Sequence, residues 1–327
     1  MITERSARHA QFARWALIVG PLFAAACGSG TENASRAAST EGVKTGSSAS
    51  ATHYSYEVFD VPGATRTLAF AINERGDITG HYRDASGVQH AYIRRAEGDV
   101  TPVDIPGVAG ITLRGINSQG VTVGFYSIAT AGGPNELTFH GFERTPEGII
   151  TTVDFPGAGD SALLAINDSG GIAGQYDLGD QSVGGSFTLI KGQFVALPDP
   201  PGAAPFNVFA DGINNLGDVS GSFIGVDGNQ TAFLLRGGTY TTFSDAGATV
   251  TAFSRLNNHG QVPGVSDVSG GFVLDAQTLS FSTFIACPSG GATFPGGINN
   301  RGQVVGSCSA PDGHSQGFVA TPSSAGD

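Results

Sequence analysis

The stretch that decides the fold reads Ile298-Asn299-Asn300-Arg301-Gly302-Gln303-Val304-Val305-Gly306-Ser307-Cys308. It is the last of six copies of one cassette, in which an asparagine is followed by glycine three and seven residues later. The six asparagines are Asn73, Asn117, Asn167, Asn214, Asn257 and Asn299. Asparagine can bond its own backbone in a turn, and glycine accepts positive φ without steric cost. Because alternating apolar runs flank each turn, every cassette predicts a β-hairpin.

The cassettes belong to a repeat of about 45 residues, the length of one propeller blade. Successive turn asparagines stand 44, 50, 47, 43 and 42 residues apart. After the second strand of each cassette come a polar loop and a short strand that opens with a small residue and an aromatic, such as His90-Ala91-Tyr92. A β-branched strand follows and ends near Asp-x-Pro-Gly, as at 103–107. Each repeat therefore predicts four antiparallel strands.

The two ends of the array indicate a closed ring. An extra copy of the fourth strand, 56–63, precedes the first cassette, whereas the sixth repeat stops near Thr321 without a fourth strand of its own. Closure by the N-terminal strand would remove the exposed sheet edges. The sequence thus predicts an all-β, six-bladed β-propeller whose ring is closed by the N-terminal strand joining the last blade. A β-solenoid is the alternative, although it would need capping repeats.

Residues outside the array predict export. Arg5, Arg8 and Arg14 precede an apolar run at 15–26, which is too short to span a bilayer, so residues 1–26 are interpreted as a signal peptide. The junction before Cys27 resembles a bacterial lipobox, although alanine stands where leucine is usual. We expect lipidation of Cys27 and a place at the outer membrane or cell surface, or plain secretion. The predicted parts are a tether at 27–52, rich in small polar residues, the propeller at 53–322 and a tail at 323–327.

The charge and the residue composition of the chain limit the partners and cofactors that can be expected. The formal net charge is −12, which disfavours nucleic acid and anionic lipid head groups. Contact with a membrane is therefore expected only through the anchor at Cys27, and we expect a monomer. Scattered histidines without ligand spacing, and no phosphate-binding loop in a suitable context, predict no cofactor and no metal. The turn asparagines could line a channel or bind calcium, but without a carboxylate cluster turn formation explains them better.

Two further cysteines lie near the end of the array. Cys287 follows the last strand of the fifth repeat, and Cys308 ends the second strand of the sixth. An exit from an outer strand and the far end of the next blade's second strand can share a rim. In an exported protein the pair is therefore expected to form a disulfide. Two buried thiols are the alternative.

The repeat pattern Gly-Ile-Asn-Asn-x-Gly-x-Val-x-Gly, clearest at 212–221 and 297–306, resembles the extracellular HAF-repeat family of bacterial proteins. The resemblance covers roughly residues 56–320. The family's histidine remains at His90 and His140, whereas the tryptophan that often follows the aromatic is absent. The resemblance implies export and a propeller-like fold. It brings no catalytic residues to transfer.

Two sets of side chains are candidates for a surface. Nine residues after the first four turn asparagines stand aromatics that could form a stacking surface for sugars or peptides, or could pack between blades. They are Tyr82, Tyr126, Tyr176 and Phe223. The fourth-strand aspartates Asp60, Asp104 and Asp154 could form an acidic rim, or could cap the Pro-Gly loops.

These patterns favour a non-enzymatic binding module for protein or carbohydrate over an enzyme. The alternative is a hydrolase or lyase with its site at a mouth of the central channel, where a carboxylate pair or a perturbed histidine would support it. A purely structural surface protein is the third hypothesis. The sequence names neither a ligand nor a catalytic residue.

Overall fold

A computed structural model describes residues 53–130, 133–179, 184–278, 280–288, 290–309 and 312–323. The expectations about residues 1–52 and 324–327, including lipidation of Cys27, lie outside these ranges. Within them, no helix has the length and hydropathy needed to cross a membrane. The described chain folds into strands joined by turns, and the all-β prediction is confirmed.

Twenty-four strands form six sheets of four. Blade 1 holds β2 (Arg66–Ile72), β3 (Ile78–Arg83), β4 (Gln89–Arg94) and β5 (Val100–Val103). Blade 2 holds β6 (Gly110–Ile116), β7 (Thr122–Thr130), β8 (Gly133–Arg144) and β9 (Ile150–Thr152). Blade 3 holds β10 (Asp160–Ile166), β11 (Ile172–Asp177), β12 (Gly184–Ile190) and β13 (Gln193–Ala196).

The second half repeats this plan and adds the closing strand. Blade 4 holds β14 (Ala203–Ile213), β15 (Val219–Gly225), β16 (Gln230–Arg236) and β17 (Thr239–Phe243). Blade 5 holds β18 (Thr251–Phe253), β19 (Gln261–Ser266), β20 (Gly270–Asp275) and β21 (Ser280–Ile285). Blade 6 holds β22 (Thr293–Ile298), β23 (Val304–Ser309) and β24 (Ser315–Ser323), and its outer strand is β1 (His53–Phe59).

Closure by the first strand is confirmed. β1 pairs antiparallel with β24 over its whole length, from His53 opposite Ser323 to Phe59 opposite Gly317. The six-bladed propeller with four antiparallel strands per blade is therefore the architecture of the described chain.

Both glycines of the cassette have a structural reason. The first one has positive φ in every copy, between 76° at Gly302 and 95° at Gly76, as the turn requires. The second one lies opposite the aromatic of the third strand, as Gly80 does opposite Tyr92. A Cβ on Gly80 would come within 2.8 Å of the Tyr92 ring and would clash with the carbonyl oxygen of Leu68. The missing side chain thus lets a buried ring cover the second strand.

The core lies within and between the blades. Its largest fully buried side chains are the third-strand aromatics, one in each blade: Tyr92, Phe142, Phe187, Phe233, Phe272 and Phe318. Burying such a ring contributes on the order of 2 kcal/mol relative to leaving it exposed. The small-aromatic landmark of the sequence therefore marks the centre of each blade.

Candidate functional site

The propeller has two distinct faces. The hairpin turns of the cassettes lie at one end of the channel, which we call the turn face. The loops that join second to third strands, and each blade to the next, lie at the other end, which we call the loop face. The innermost strand of each blade runs from the loop face to the turn face.

An asparagine ring closes the channel at the turn face. In each cassette the asparagine side chain accepts two backbone N–H bonds within its own turn, as Asn167 Oδ1 does from Ser169 and Gly171. Its Nδ2 donates to the backbone carbonyl of the next asparagine, and this continues around all six blades to the bond from Asn299 to Asn73. All six side chains are buried. These residues therefore shape the turns and also join each blade to its neighbour.

A second polar ring lies beside the first. In every copy except the second, the side chain of the residue after the asparagine accepts a bond from the backbone N–H of the equivalent residue in the preceding blade. Five of these links are present, for example from Ser118 N to Asp168 Oδ1 at 2.7 Å and from Asn300 N to Glu74 Oε1 at 2.9 Å. A small cavity of about 70 Å³ lies among these two rings.

β-bulges direct side chains into the channel above the rings. In blades 1, 2, 3, 4 and 6 the pairing of the first two strands skips one residue, three positions before the asparagine. A bulge changes the direction of the side chain that it carries. The skipped residues are Phe70, Arg114, Leu164, Asp211 and Gly296. All five line a larger cavity on the channel axis.

This axial cavity has a volume of about 120 Å³. Its lining residues belong to strands of several blades and stand farther from the turn asparagines than the lining of the small cavity, so it lies toward the loop face. The walls combine rings and aliphatic side chains, such as Phe209 and Val250, with a few polar groups, among them Gln175, Gln230 and Ser222. Mostly apolar walls with a few convergent polar groups are typical of ligand sites.

The side chain of Arg255 extends across the channel and bonds to backbone carbonyls of other blades. Its Nε and Nη2 donate to Leu164 O at 3.2 and 2.8 Å, and its Nη1 donates to Phe70 O and Gly296 O at 2.9 Å each. One side chain of blade 5 thus bonds the inner strands of blades 1, 3 and 6. Burial, together with the charge of Arg114, lowers the pKa of Arg255 to about 9. The guanidinium remains charged at neutral pH.

Arg114 and Asp211 form an ion pair across the cavity. Arg114 Nη2 donates to Asp211 Oδ1 at 3.3 Å, and its guanidinium carbon lies 4.4 Å from the centre of the Phe70 ring. The Arg114 side chain is 8% exposed, and no other acceptor for it exists in the part of the chain that the structure describes. Burial raises the pKa of Asp211, although Arg114 and Arg255 oppose this shift. Two cations therefore face one carboxylate, and the cavity carries net positive charge.

The loop face is acidic in contrast. Among the described residues that the strand order places at this face, the cations are Arg66 and Arg83. The carboxylates there are Asp60, Asp84, Asp104, Glu136, Asp154, Asp160, Asp177, Asp199, Asp227, Asp245, Asp267 and Asp312. The positive cavity therefore opens into a negative surrounding.

Three of these aspartates pair with a histidine of their own blade, in blades 1, 2 and 6. His90 Nδ1 lies 2.8 Å from Asp104, His140 Nδ1 lies 2.8 Å from Asp154, and His314 Nε2 lies 3.1 Å from Asp60. The interpretation of these aspartates as caps of the Pro-Gly loops is wrong, because their partners are groups on the third strand or just before it.

His90 has a second carboxylate partner. Burial acts to lower the pKa of His90, but the bonds to Asp104 and Asp84 outweigh it and raise that pKa. In the described residues, no group of three or more His, Cys, Asp and Glu side chains could hold a metal ion.

The predicted aromatic set does not form one exposed surface. Phe223 is 4% exposed and belongs to the core of blades 3 and 4, so its place in a surface patch is a wrong expectation. Tyr82, Tyr126 and Tyr176 are half-buried. Tyr82 stacks on His90 at 5.1 Å, and Tyr176 stacks on Phe155 at 3.9 Å between ring centres. Packing therefore explains these rings, as the alternative interpretation had it.

The structure joins Cys287 and Cys308 in a disulfide, with their Cα atoms 5.5 Å apart. Cys287 follows β21 of blade 5, and Cys308 lies in β23 of blade 6, so the bond links two neighbouring blades.

The charged channel residues were missed from the sequence, although it carries a signal for them. Two positions before the turn asparagine, the fifth copy of the cassette has Arg255, whereas the other five copies have a small residue: Ala71, Gly115, Ala165, Gly212 and Gly297. One position further back, Arg114 and Asp211 occupy a place that is apolar or small in the other copies. A charge that replaces a small or apolar residue in one repeat of an inner strand points to the axis.

Neither a protein-family model nor a curated protein sequence matches the chain. A solved structure of virginiamycin B lyase from Staphylococcus aureus is similar over 82% of this chain and 99% of that one, with 12% identity and a TM-score of 0.39. A fucose-specific lectin from Aleuria aurantia is similar over 85% of this chain and 98% of that one, with 11% identity and a TM-score of 0.45. Strand pairing defines the class of this chain, a six-bladed β-propeller. Membership of the HAF-repeat family stays a prediction.

Proposed function

We propose that this chain is an exported, non-enzymatic binding module, anchored by a lipid at Cys27, that receives its ligand in the axial cavity from the loop face. The observation that carries the proposal is the cavity itself, in which mostly apolar walls surround the Arg114–Asp211 pair. Protein or carbohydrate is the expected partner class. The Asn turns and the Arg255 bonds hold the walls in place, so little ordering is needed when a ligand binds.

Filling the cavity tests the binding site. Ala252 lines the cavity and is half-buried, so Ala252→Trp places a bulky ring in the space that a ligand would need. Leu216→Trp is the matched control, because Leu216 is 73% exposed on the turn face. We expect partner capture in pull-downs or glycan arrays to be lost in the first variant and kept in the second. Equal capture by both folded variants would refute binding in the cavity.

The anchor is tested separately. Metabolic labelling with a fatty-acid analogue should mark the wild-type protein and leave Cys27→Ser unmarked. A wild-type protein released into the medium without label would leave plain secretion as the route, whereas label on the serine variant would refute Cys27 as the attachment site.

An enzyme with its site in the same cavity is the second candidate, favoured by the raised pKa of Asp211. Asp211 is the one carboxylate among the described lining residues, and Arg114 holds it. Turnover of any substrate that disappears in Asp211→Asn, while the fold persists, would establish this candidate and overturn the non-enzymatic proposal.

A further inference from the structure

We infer that the axial cavity receives the carboxyl terminus of a polypeptide whose last residue is apolar and whose preceding residues are basic. This inference rests on the proposed function and names the ligand class of the same site. Three features of the channel carry it, and each one selects a different part of the ligand.

The first feature selects an anionic group. Arg114 lines the cavity, its side chain is 8% exposed, and Asp211 is its one acceptor in the described chain. Its guanidinium offers five N–H groups, so donors remain without a protein partner. Arg255 adds a second charge, although its own donors are largely occupied by backbone carbonyls. A carboxylate that enters would pair with Arg114 and would neutralise the excess positive charge.

The second feature selects an apolar group next to that carboxylate. Phe209, Phe294, Val250 and Leu164 supply walls against which an aliphatic or aromatic side chain can pack. The volume of about 120 Å³ is similar to an apolar cavity of about 150 Å³ that holds a benzene ring. One side chain fits, and the chain that carries it would have to continue toward the loop face.

The third feature selects cations outside the cavity. A simple anion must pass the carboxylates of the loop face, among them Asp199, Asp227 and Asp245, before it reaches Arg114. Their field repels a ligand with only negative charge and attracts one with basic residues behind its carboxylate. An acidic sugar satisfies the first feature but not the third. A polypeptide end satisfies all three.

The experiment uses the full chain and four acetylated, dye-labelled hexapeptides, with binding followed by fluorescence anisotropy. Two peptides end in Lys-Lys-Gly-Leu, one with a free carboxylate and one with an amide. A third ends in Glu-Glu-Gly-Leu with a free carboxylate, and the fourth replaces the final Leu of the first by Ser. We expect the first peptide to bind about tenfold or more tightly than each of the other three.

Protein variants locate the effect. Arg114→Gln should abolish the difference between acid and amide, whereas Arg75→Gln should keep it, because Arg75 is half exposed on the turn face and pairs with Asp77. The comparison of the acid peptide with the amide peptide uses the wild-type protein, so the inference can be refuted even if Arg114→Gln does not fold.

Some outcomes would overturn the inference. Equal binding of acid and amide would do so, and so would absence of binding by all four peptides. If glucuronate or sialic acid binds to the wild type but not to Ala252→Trp, the inference of a polypeptide ligand is wrong, whereas the proposed binding function is still supported. If neither peptide nor sugar binds, and no partner is captured in pull-downs, the proposed function fails as well.

Discussion

The asparagine ring makes a quantitative prediction about stability. Asn167 suits a test, because its side chain makes only two bonds within its own turn and one to the next blade, from Nδ2 to Asn214 O at 2.8 Å. Asn167→Ala removes all three. At about 1 kcal/mol for each bond, the variant should lose on the order of 3 kcal/mol of unfolding free energy, and somewhat more because buried backbone groups lose their partners.

Equilibrium unfolding in urea, followed by far-UV circular dichroism, measures this loss. The tyrosines offer a second probe, since the single tryptophan, Trp15, lies in the predicted signal segment. The matched control is Asn207→Ala, which removes one exposed local bond to Pro205 and should change the free energy by less than about 0.5 kcal/mol. If Asn167→Ala costs no more than Asn207→Ala, the ring is a consequence of the fold and does not stabilise it.

Three further predictions concern the channel and its neighbours. Burial lowers the pKa of His81 from 6.5 to about 3, so the unfolding free energy should be highest above pH 6.5 and should fall as the pH drops toward 3, by about 2 kcal/mol at pH 5. The urea midpoint measured against pH should show this fall, and His81→Gln should make it smaller. Cys308→Ser should lose about 3 kcal/mol of unfolding free energy relative to the oxidised wild type by the loop-entropy account, and reduction should bring the wild type to the same lower value. Arg255→Met leaves carbonyls of three blades unpaired and should lower the thermal midpoint by several degrees, whereas Arg301→Met on the turn face should not.

The architecture could be predicted because short sequence patterns that determine local structure recur in every repeat. Each Asn-x-x-Gly turn fixes a hairpin, each second glycine marks a place for a buried ring, and the spare strand at 53–59 reveals the closure. These signals act over a few residues, and six copies reinforce one another.

The site could not be predicted in the same way, because it depends on departures from the repeat. Arg114, Asp211 and Arg255 stand 44 to 141 residues apart and meet only because bulged inner strands surround one axis. A repeat pattern shows which positions face inward only after the ring is known. The aromatic set failed for a related reason: the interval of nine residues from the asparagine is constant, but burial at that position changes between Tyr82 and Phe223.

The pairing of β1 with β24 has a consequence for orientation. Because β24 ends at the turn face and β1 runs antiparallel to it, His53 lies on the turn face, and so does Ser323. A chain fastened to a lipid bilayer through Cys27 would therefore be held by that underside. The point of attachment would then lie at the end of the channel opposite its mouth, so the tether would leave that mouth free for whatever arrives from the surrounding medium.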